Sequence, residues 1–230
     1  MTRPVLHGFA PSVYTRVARL VLAEKRIPHD YVEVNPFDPG RDPGLLALHP
    51  FARVPVLVHG DFVLHETAAI ARYLDSFPGP ALTPAEPRAA ARMAQVTGIV
   101  DAYGYWPLVR QVYAQRVVRP SEGLTPDETE IATGLAAAAP VLATLDRIAA
   151  EGLVLSGAAL TLADCHLAPM IGAFASAPEG AEALSRHPAL ARWWGAMVKR
   201  RSVVATAPDH GASPDRKGLT VARPVPERAP

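Results

Sequence analysis

The chain is almost without cysteine. A single thiol, Cys165, among 230 residues excludes an internal disulfide and any paired-cysteine redox motif. Aromatic residues make up only 7 %, and 23 Lys and Arg against 22 Asp and Glu leave a formal net charge of +1. That balance gives no electrostatic footprint for nucleic acid or an anionic membrane surface. No apolar run reaches the roughly 18 residues a bilayer span needs. The opening Met1-Thr2-Arg3-Pro4-Val5-Leu6-His7 lacks the apolar core of a secretion signal. These absences point to the cytoplasm. A metal site has no support either: Cys165 and His166, adjacent on a helix, would point about 100° apart with no further ligands. Cys165 sits in an apolar helical pattern and reads as a small buried hydrophobe.

What is present is a globular composition, 49 % hydrophobic and 20 % charged, long enough for one large or two modest domains. Pro4-Val5-Leu6-His7-Gly8 is β-like. Val13, Val17, Leu20 and Val21 then recur on one helical face that opens at Ser12 and closes near Lys25-Arg26. Tyr31-Val32-Glu33-Val34 reads as a second strand, Asn35 to Gly40 as a loop, and Leu45-Leu46-Ala47-Leu48 as a short helix. Phe51 to Val58 and Phe62 to Leu64 read as strands around a Gly60-Asp61 turn, before a helix with Ile70, Tyr73, Leu74 and Phe77 on one face. The pattern is β-α-β-α-β-β-α. It implies a parallel pair with a right-handed crossover, an antiparallel hairpin and a mixed four-stranded sheet.

Composition shifts at Pro78-Gly79-Pro80, and Pro84 and Pro87 extend a linker. Beyond it no strand is legible. Met93, Val96, Val100 and Tyr103 mark one long helix, with a kink expected at Pro107. Ile131, Leu135, Leu142 and Leu145 mark another, and Leu167, Ile171 and Phe174, then Leu190, Trp193, Trp194 and Met197, mark two more. The expected domains are 1–78, of α/β type, a linker at 79–87, an all-α domain over 88–206, and a Pro-rich extended or disordered tail at 207–230.

Three features of the first domain suit a ligand. Pro55 begins a strand, where it cannot donate to the ladder and where a cis bond is inexpensive. A cis bond would turn the Val54 main chain outward to pair with a peptide-like ligand. At a helix start, the Thr67 N–H and hydroxyl suit a carboxylate and Glu66 suits a neighbouring ammonium group. Ser12, at the start of the first helix, could hold a thiolate, because helix N-termini with donors lower thiol pKa values. Each residue could instead serve only as an edge proline or helix cap. Together they fit one ligand, a γ-glutamyl-cysteinyl peptide.

Four runs of sequence, in order, carry a resemblance. They are Ser12-Val13-Tyr14-Thr15-Arg16-Val17-Ala18-Arg19-Leu20-Val21-Leu22-Ala23-Glu24-Lys25, then Pro50-Phe51-Ala52-Arg53-Val54-Pro55-Val56-Leu57, then Glu66-Thr67-Ala68-Ala69-Ile70-Ala71-Arg72-Tyr73-Leu74, and Leu160-Thr161-Leu162-Ala163-Asp164. Over residues 3 to about 200 the chain resembles the cytosolic glutathione transferases, of a serine-type, bacterial-like kind. The resemblance implies a thioredoxin-like N-terminal domain, an all-helical C-terminal domain and a cytoplasmic homodimer, with glutathione as co-substrate and no metal.

It also implies residue roles. Ser12 holds the glutathione thiolate, with Tyr14 as the alternate donor; a second register would put Pro11 at the thiolate position. Val54 before cis-Pro55 pairs with the cysteinyl backbone, Glu66 and Thr67 hold the γ-glutamyl head, and Arg53 and His49 face the glycyl end. Thr161 and Asp164 form a helix-capping box. The electrophile's pocket draws on Phe9, Tyr103, Tyr105, Trp106 and Tyr113, with Phe9, Tyr103 and Trp106 preferred. Conjugation to hydrophobic electrophiles is the expected reaction. A glutathione-dependent isomerase or dehalogenase, or a non-catalytic binding module, are the alternatives.

Overall fold

Val5–Gly8 (β1), Val13–Lys25 (α1) and Asp30–Glu33 (β2) open the chain in a computed structural model that describes residues 2–38 and 44–208. Gly44–Leu48 (α2), Val56–His59 (β3), Phe62–His65 (β4) and Thr67–Asp75 (α3) complete the first domain. The sheet order is β2-β1-β3-β4. β1 runs parallel to β2, Leu6 beside Tyr31, and antiparallel to β3, Leu6 beside Leu57; β3 pairs antiparallel with β4, Val56 beside His65. This is the mixed sheet the sequence implies. Gly60 takes φ +65° in the two-residue turn between β3 and β4, a left-handed value that glycine adopts without strain.

Helix α1 sets the position of everything near its start. The Ser12 side chain accepts from the Thr15 N–H, and Thr15 Oγ1 in turn accepts from the Phe9 N–H at 3.2 Å, pinning the turn from β1. A Cβ at Gly8 would overlap the Thr15 methyl, so the close strand–helix turn requires glycine there. Arg26, in the left-handed region at φ 55°, ends the helix with its N–H on Ala23 and Leu22 carbonyls. One face of α1 packs on α3; the other meets Leu162–Ala175 (α7) of the second domain.

The second domain is helical throughout its described residues. Pro87–Ile99 (α4) continues without a break into two stretches of wider, i to i−5 bonding, Val100–Gly104 and Trp106–Val118, and then Arg119–Ser121 (α5). Glu128–Glu151 (α6), α7, Pro178–Ser185 (α8), Pro188–Met197 (α9) and Arg201–Ala205 (α10) follow. The long helix expected around Pro107 is present, but its turns widen where a kink was expected. Proline has no N–H to give an i−4 carbonyl, so the ladder around it must change. α6 is long and apolar enough to cross a membrane by length and composition, with a mean hydropathy of 1.3 in its most apolar window. That corrects the expectation that no such segment exists. Its Ile131, Leu142, Leu145 and Ile148 face the core. One apolar cluster runs from Leu6 and Leu57 through Val21 to Phe174 and Trp193, joining both domains. The expected tail falls, from residue 209 on, outside the described residues, as do residues 39 and 40 of the expected loop.

One polar tie joins the first domain to the second, and another joins it to the linker. Glu24 on α1 accepts from Arg200 at 2.9 Å and from the Ser202 hydroxyl. Lys25, almost fully enclosed, donates to the Asp75 carboxylate at 3.3 Å and to the Asp75 and Pro80 carbonyls. Asp75 also accepts from Leu82 N–H at 2.8 Å and Thr83 Oγ1 at 2.6 Å. Burial pushes the Asp75 carboxyl up, but those donors and Lys25 outweigh it and hold it below its ordinary value near 3.8. A depressed carboxyl adds stability above its unfolded-state pKa that is lost as pH falls through the folded one. Chemical denaturation should therefore show wild-type stability dropping as pH falls below about 4, and a flatter pH dependence for Asp75→Asn. Identical slopes would contradict the assignment.

Candidate active site

Between the domains lies a cleft of about 580 Å³. Its floor is built from three chain turns of the first domain. The turn before α1 brings Pro11, Ser12 and Tyr14; the turn before β3 brings Arg53, Val54 and Pro55, with His49 behind them; the start of α3 brings Glu66 and Thr67. Ser12, Tyr14, His49, Arg53, Glu66 and Thr67 thus line one cavity.

The local geometry of each is specific. Ser12 uses a lone pair on Thr15 N–H at 3.2 Å, which leaves its own proton to donate into the cleft. The Val54–Pro55 peptide bond is cis, and Val54 stands ahead of the β3 ladder rather than in it. Glu66 is the residue before α3, held at φ 70°, a strained value for a residue with a Cβ. Its side chain makes no capping bond. Capping therefore does not account for Glu66: the carboxylate is left at the cleft, beside the first N–H groups of a helix.

Tyr14 is committed elsewhere. Burial first, then the negative charge and acceptor pull of the nearby Asp101 carboxylate, push its pKa well above the ordinary tyrosine range. Asp101 also meets His166 Nε2 at 2.8 Å, and Tyr105 stacks on Tyr14 with ring centres 5.0 Å apart. A tyrosine in that environment keeps its proton. Ser12 has no such competitor.

His49 is buried, and its ring lies 4.5 Å from that of His65. Burial, the neighbouring His65 and Arg53 lower its pKa against the pull of Glu66, which favours the neutral ring. Its Nδ1 accepts from Phe51 N–H at 3.3 Å, so the remaining proton belongs on Nε2. Arg53 is exposed at the cleft edge, a cation suited to a terminal carboxylate.

The far wall is apolar. Phe9, packed edge-on to Phe37 with centroids 6.0 Å apart, faces Tyr105, Val109, Tyr113 and Val117. Of the aromatics preferred from sequence, Phe9 lines the cavity. Tyr103 and Trp106 do not: they are 68 % and 47 % exposed and lie off the cleft. The wide-turn helix explains the correction. Asp101, Tyr105, Val109, Tyr113 and Val117 recur every four residues and all line the cavity. On a 3.6-residue helix that spacing drifts by about 40° per step, so the stripe is lost to the usual periodicity. Arg110 and Phe37, also at the cleft, carry no sequence signal of their own.

Thr161 and Asp164 lie away from the cleft and cap α7: the Thr161 N–H and hydroxyl both donate to Asp164, at 2.7 and 2.6 Å. Cys165 is buried, and burial raises its thiol pKa far above the ordinary value. Among the described residues no group of three His, Cys, Asp or Glu side chains is placed to hold a metal.

Comparison with known proteins agrees with this geometry. Residues 6–81 match the glutathione S-transferase N-terminal domain family and residues 127–194 the glutathione S-transferase C-terminal domain family. Glutathione S-transferase 3 of Zea mays is 32 % identical over 195 residues, covering 83 % of this chain and 86 % of that protein. A stringent starvation protein A homolog of Coxiella burnetii is 32 % identical over 160 residues, 69 % of this chain and 70 % of the relative. The solved apo structure of glutathione S-transferase III superposes with a TM-score of 0.80 at 29 % identity, over 93 % of this chain and 99 % of that one. The chain belongs to the glutathione S-transferase family.

Proposed function

We propose that the chain is a glutathione transferase that holds glutathione as thiolate at Ser12 and presents it to a hydrophobic electrophile. The observation that carries the reading is convergence. A hydroxyl with a free proton, a main-chain edge before a cis proline, and an uncapped helix start with a spare carboxylate face one cavity. Val54 pairs with the cysteinyl backbone, the Thr67 N–H and hydroxyl take the γ-glutamyl carboxylate, and Glu66 takes its ammonium group. Arg53, with neutral His49 behind it, takes the glycyl carboxylate. Catalysis consists of thiol deprotonation and orientation; no covalent enzyme intermediate is needed. The electrophile rests against Phe9, Tyr105 and Tyr113, which suits an aromatic or similarly apolar substrate.

The test is glutathione conjugation of an activated aryl chloride, followed by absorbance. Wild type should turn over, and Tyr14→Phe should change kcat/KM by no more than about threefold, since burial and the neighbouring Asp101 charge disfavour a second anion at its hydroxyl. A hundredfold loss in Tyr14→Phe would move the thiolate donor from Ser12 to Tyr14. A second reading, a binding module without turnover, draws on the stringent starvation protein A relative, which is not named for conjugation. Glutathione binding with no measurable conjugation of aryl halides would favour it. Isomerisation or dehalogenation would require a different occupant of the same apolar wall.

The chain acts as a cytoplasmic homodimer in this reading. The buried, unpaired Cys165 suits a reducing compartment. Phe51, Phe62 and Val63 on the first domain, and Tyr103 and Trp106 on the second, are large apolar side chains left exposed in a single copy. Burying them against a second copy gives Tyr103 and Trp106 their role.

A further inference from the structure

A second cavity, of about 300 Å³, lies on the other side of the α1 start from the glutathione cleft. It shares Pro11, Val13, Tyr113 and Pro208 with the cleft, but Pro169, Gly172, Trp194, Val203 and Val204 belong to it alone. It is at the small end of ligand pockets, which run about 300–1,000 Å³. Among the described residues its lining is mostly apolar and holds one cation, Arg16.

Arg16 is anomalous. It is 8 % exposed, yet among the described residues it forms no ion pair. Of its five N–H donors one hydrogen bond is made, from NH2 to the Val203 carbonyl at 2.8 Å. Its Nε is buried without a partner. NH1 faces the space beside Gly172, where a Cβ would stand 3.4 Å from NH1 and 3.1 Å from Trp194. Gly172 thus keeps the space beside NH1 open. Burial and the nearby Arg19 press the guanidinium down to about 10, against a pull from Tyr113. A buried, unpaired charge is costly unless something compensates it. Tethering α10 explains one donor and leaves four.

We propose that this cavity binds a small apolar carboxylic acid, its carboxylate on Arg16 and its body between Trp194, Pro169 and Val204. A planar monoanion matches both the fork of the guanidinium and its single charge. A phosphate dianion would leave one buried negative charge uncompensated, since among the described residues no second cation lines the cavity. The site is separate from the glutathione site, and its test needs no glutathione.

The experiment is calorimetric titration with 1-naphthoate and, as the neutral counterpart, 1-naphthalenemethanol. Wild type, Arg16→Met and Val204→Phe are compared. Val204 is exposed at the rim and lines only the second cavity, so Val204→Phe obstructs it without entering the core or the glutathione cleft. The acid should bind wild type at least tenfold more tightly than Arg16→Met and than Val204→Phe. The alcohol should bind Arg16→Met and wild type alike. Should Arg16→Met fail to fold, the preference for acid over alcohol in wild type and its loss in Val204→Phe decide. No acid binding at millimolar concentration overturns the proposal, as does equal acid affinity in wild type and Val204→Phe, which would place the probe in the larger cleft.

Discussion

Replacing Ser12 by alanine should lower kcat/KM for conjugation by about a hundredfold, the loss expected when one preorganised donor to a developing or held anion is removed. The hydroxyl is positioned by its own acceptance from Thr15 N–H, so its proton has one direction left to point. Alanine removes both functions. The capping loss should cost about 1 kcal/mol of stability, small beside the loss of activity. The two effects separate in a pH profile. With Ser12 present, kcat/KM rises through a depressed thiol pKa and levels off near neutrality. In the variant the rise moves toward the free-thiol value of about 8.5, so the deficit shrinks at high pH. A uniform loss at every pH would point to disordered packing instead.

The second large effect is on stability and lies far from the cleft. Asp164, 1 % exposed, accepts from the Thr161 N–H, the Thr161 hydroxyl and Trp193 Nε1, the last at 2.7 Å. Burial pushes its carboxyl above the usual range, against the pull of those donors. Asp164→Ala leaves three buried donors unsatisfied, at about 1–3 kcal/mol each, and these costs do not simply add. A loss of about 4 kcal/mol is expected in equilibrium denaturation, with glutathione affinity of the remaining folded protein unchanged. Asp164→Asn, which keeps one acceptor, should lose about half as much. A loss below about 1 kcal/mol for alanine would mean that the box does not organise α7.

The first-domain residues that line the cleft were legible in the sequence because they sit at punctuation. Ser12, Pro55 and Glu66-Thr67 each stand where a strand or helix begins, and local rules of capping and proline geometry apply there whatever the tertiary packing. The mixed sheet followed for a similar reason, from a crossover helix between β1 and β2 and a Gly60-Asp61 turn between β3 and β4; the place of β1 between β2 and β3 is a long-range pairing that neither signal carries. The electrophile wall was harder to read. Its stripe from Asp101 to Val117 has a four-residue period, visible only once the helix is known to widen after Val100. With a 3.6-residue ruler, Tyr103 looked inward and Tyr105 was one candidate among several. The Tyr14–Asp101–His166 chain was likewise hidden, because it joins residues 87 and 65 positions apart. Periodicity along the chain carries no information about such pairings.

In the proposed mechanism the cleft binds glutathione and Ser12 holds its sulfur as thiolate. The direct test is ultraviolet titration of thiolate absorbance in the glutathione complex, for wild type and Ser12→Ala. Glutathione should bind saturably to both. The bound thiol should titrate at least one unit below its free value of about 8.5 in wild type, and close to that value in the variant. Failure of glutathione to bind wild type at millimolar concentration, or a bound thiol with the same pKa in both proteins, would contradict that mechanism.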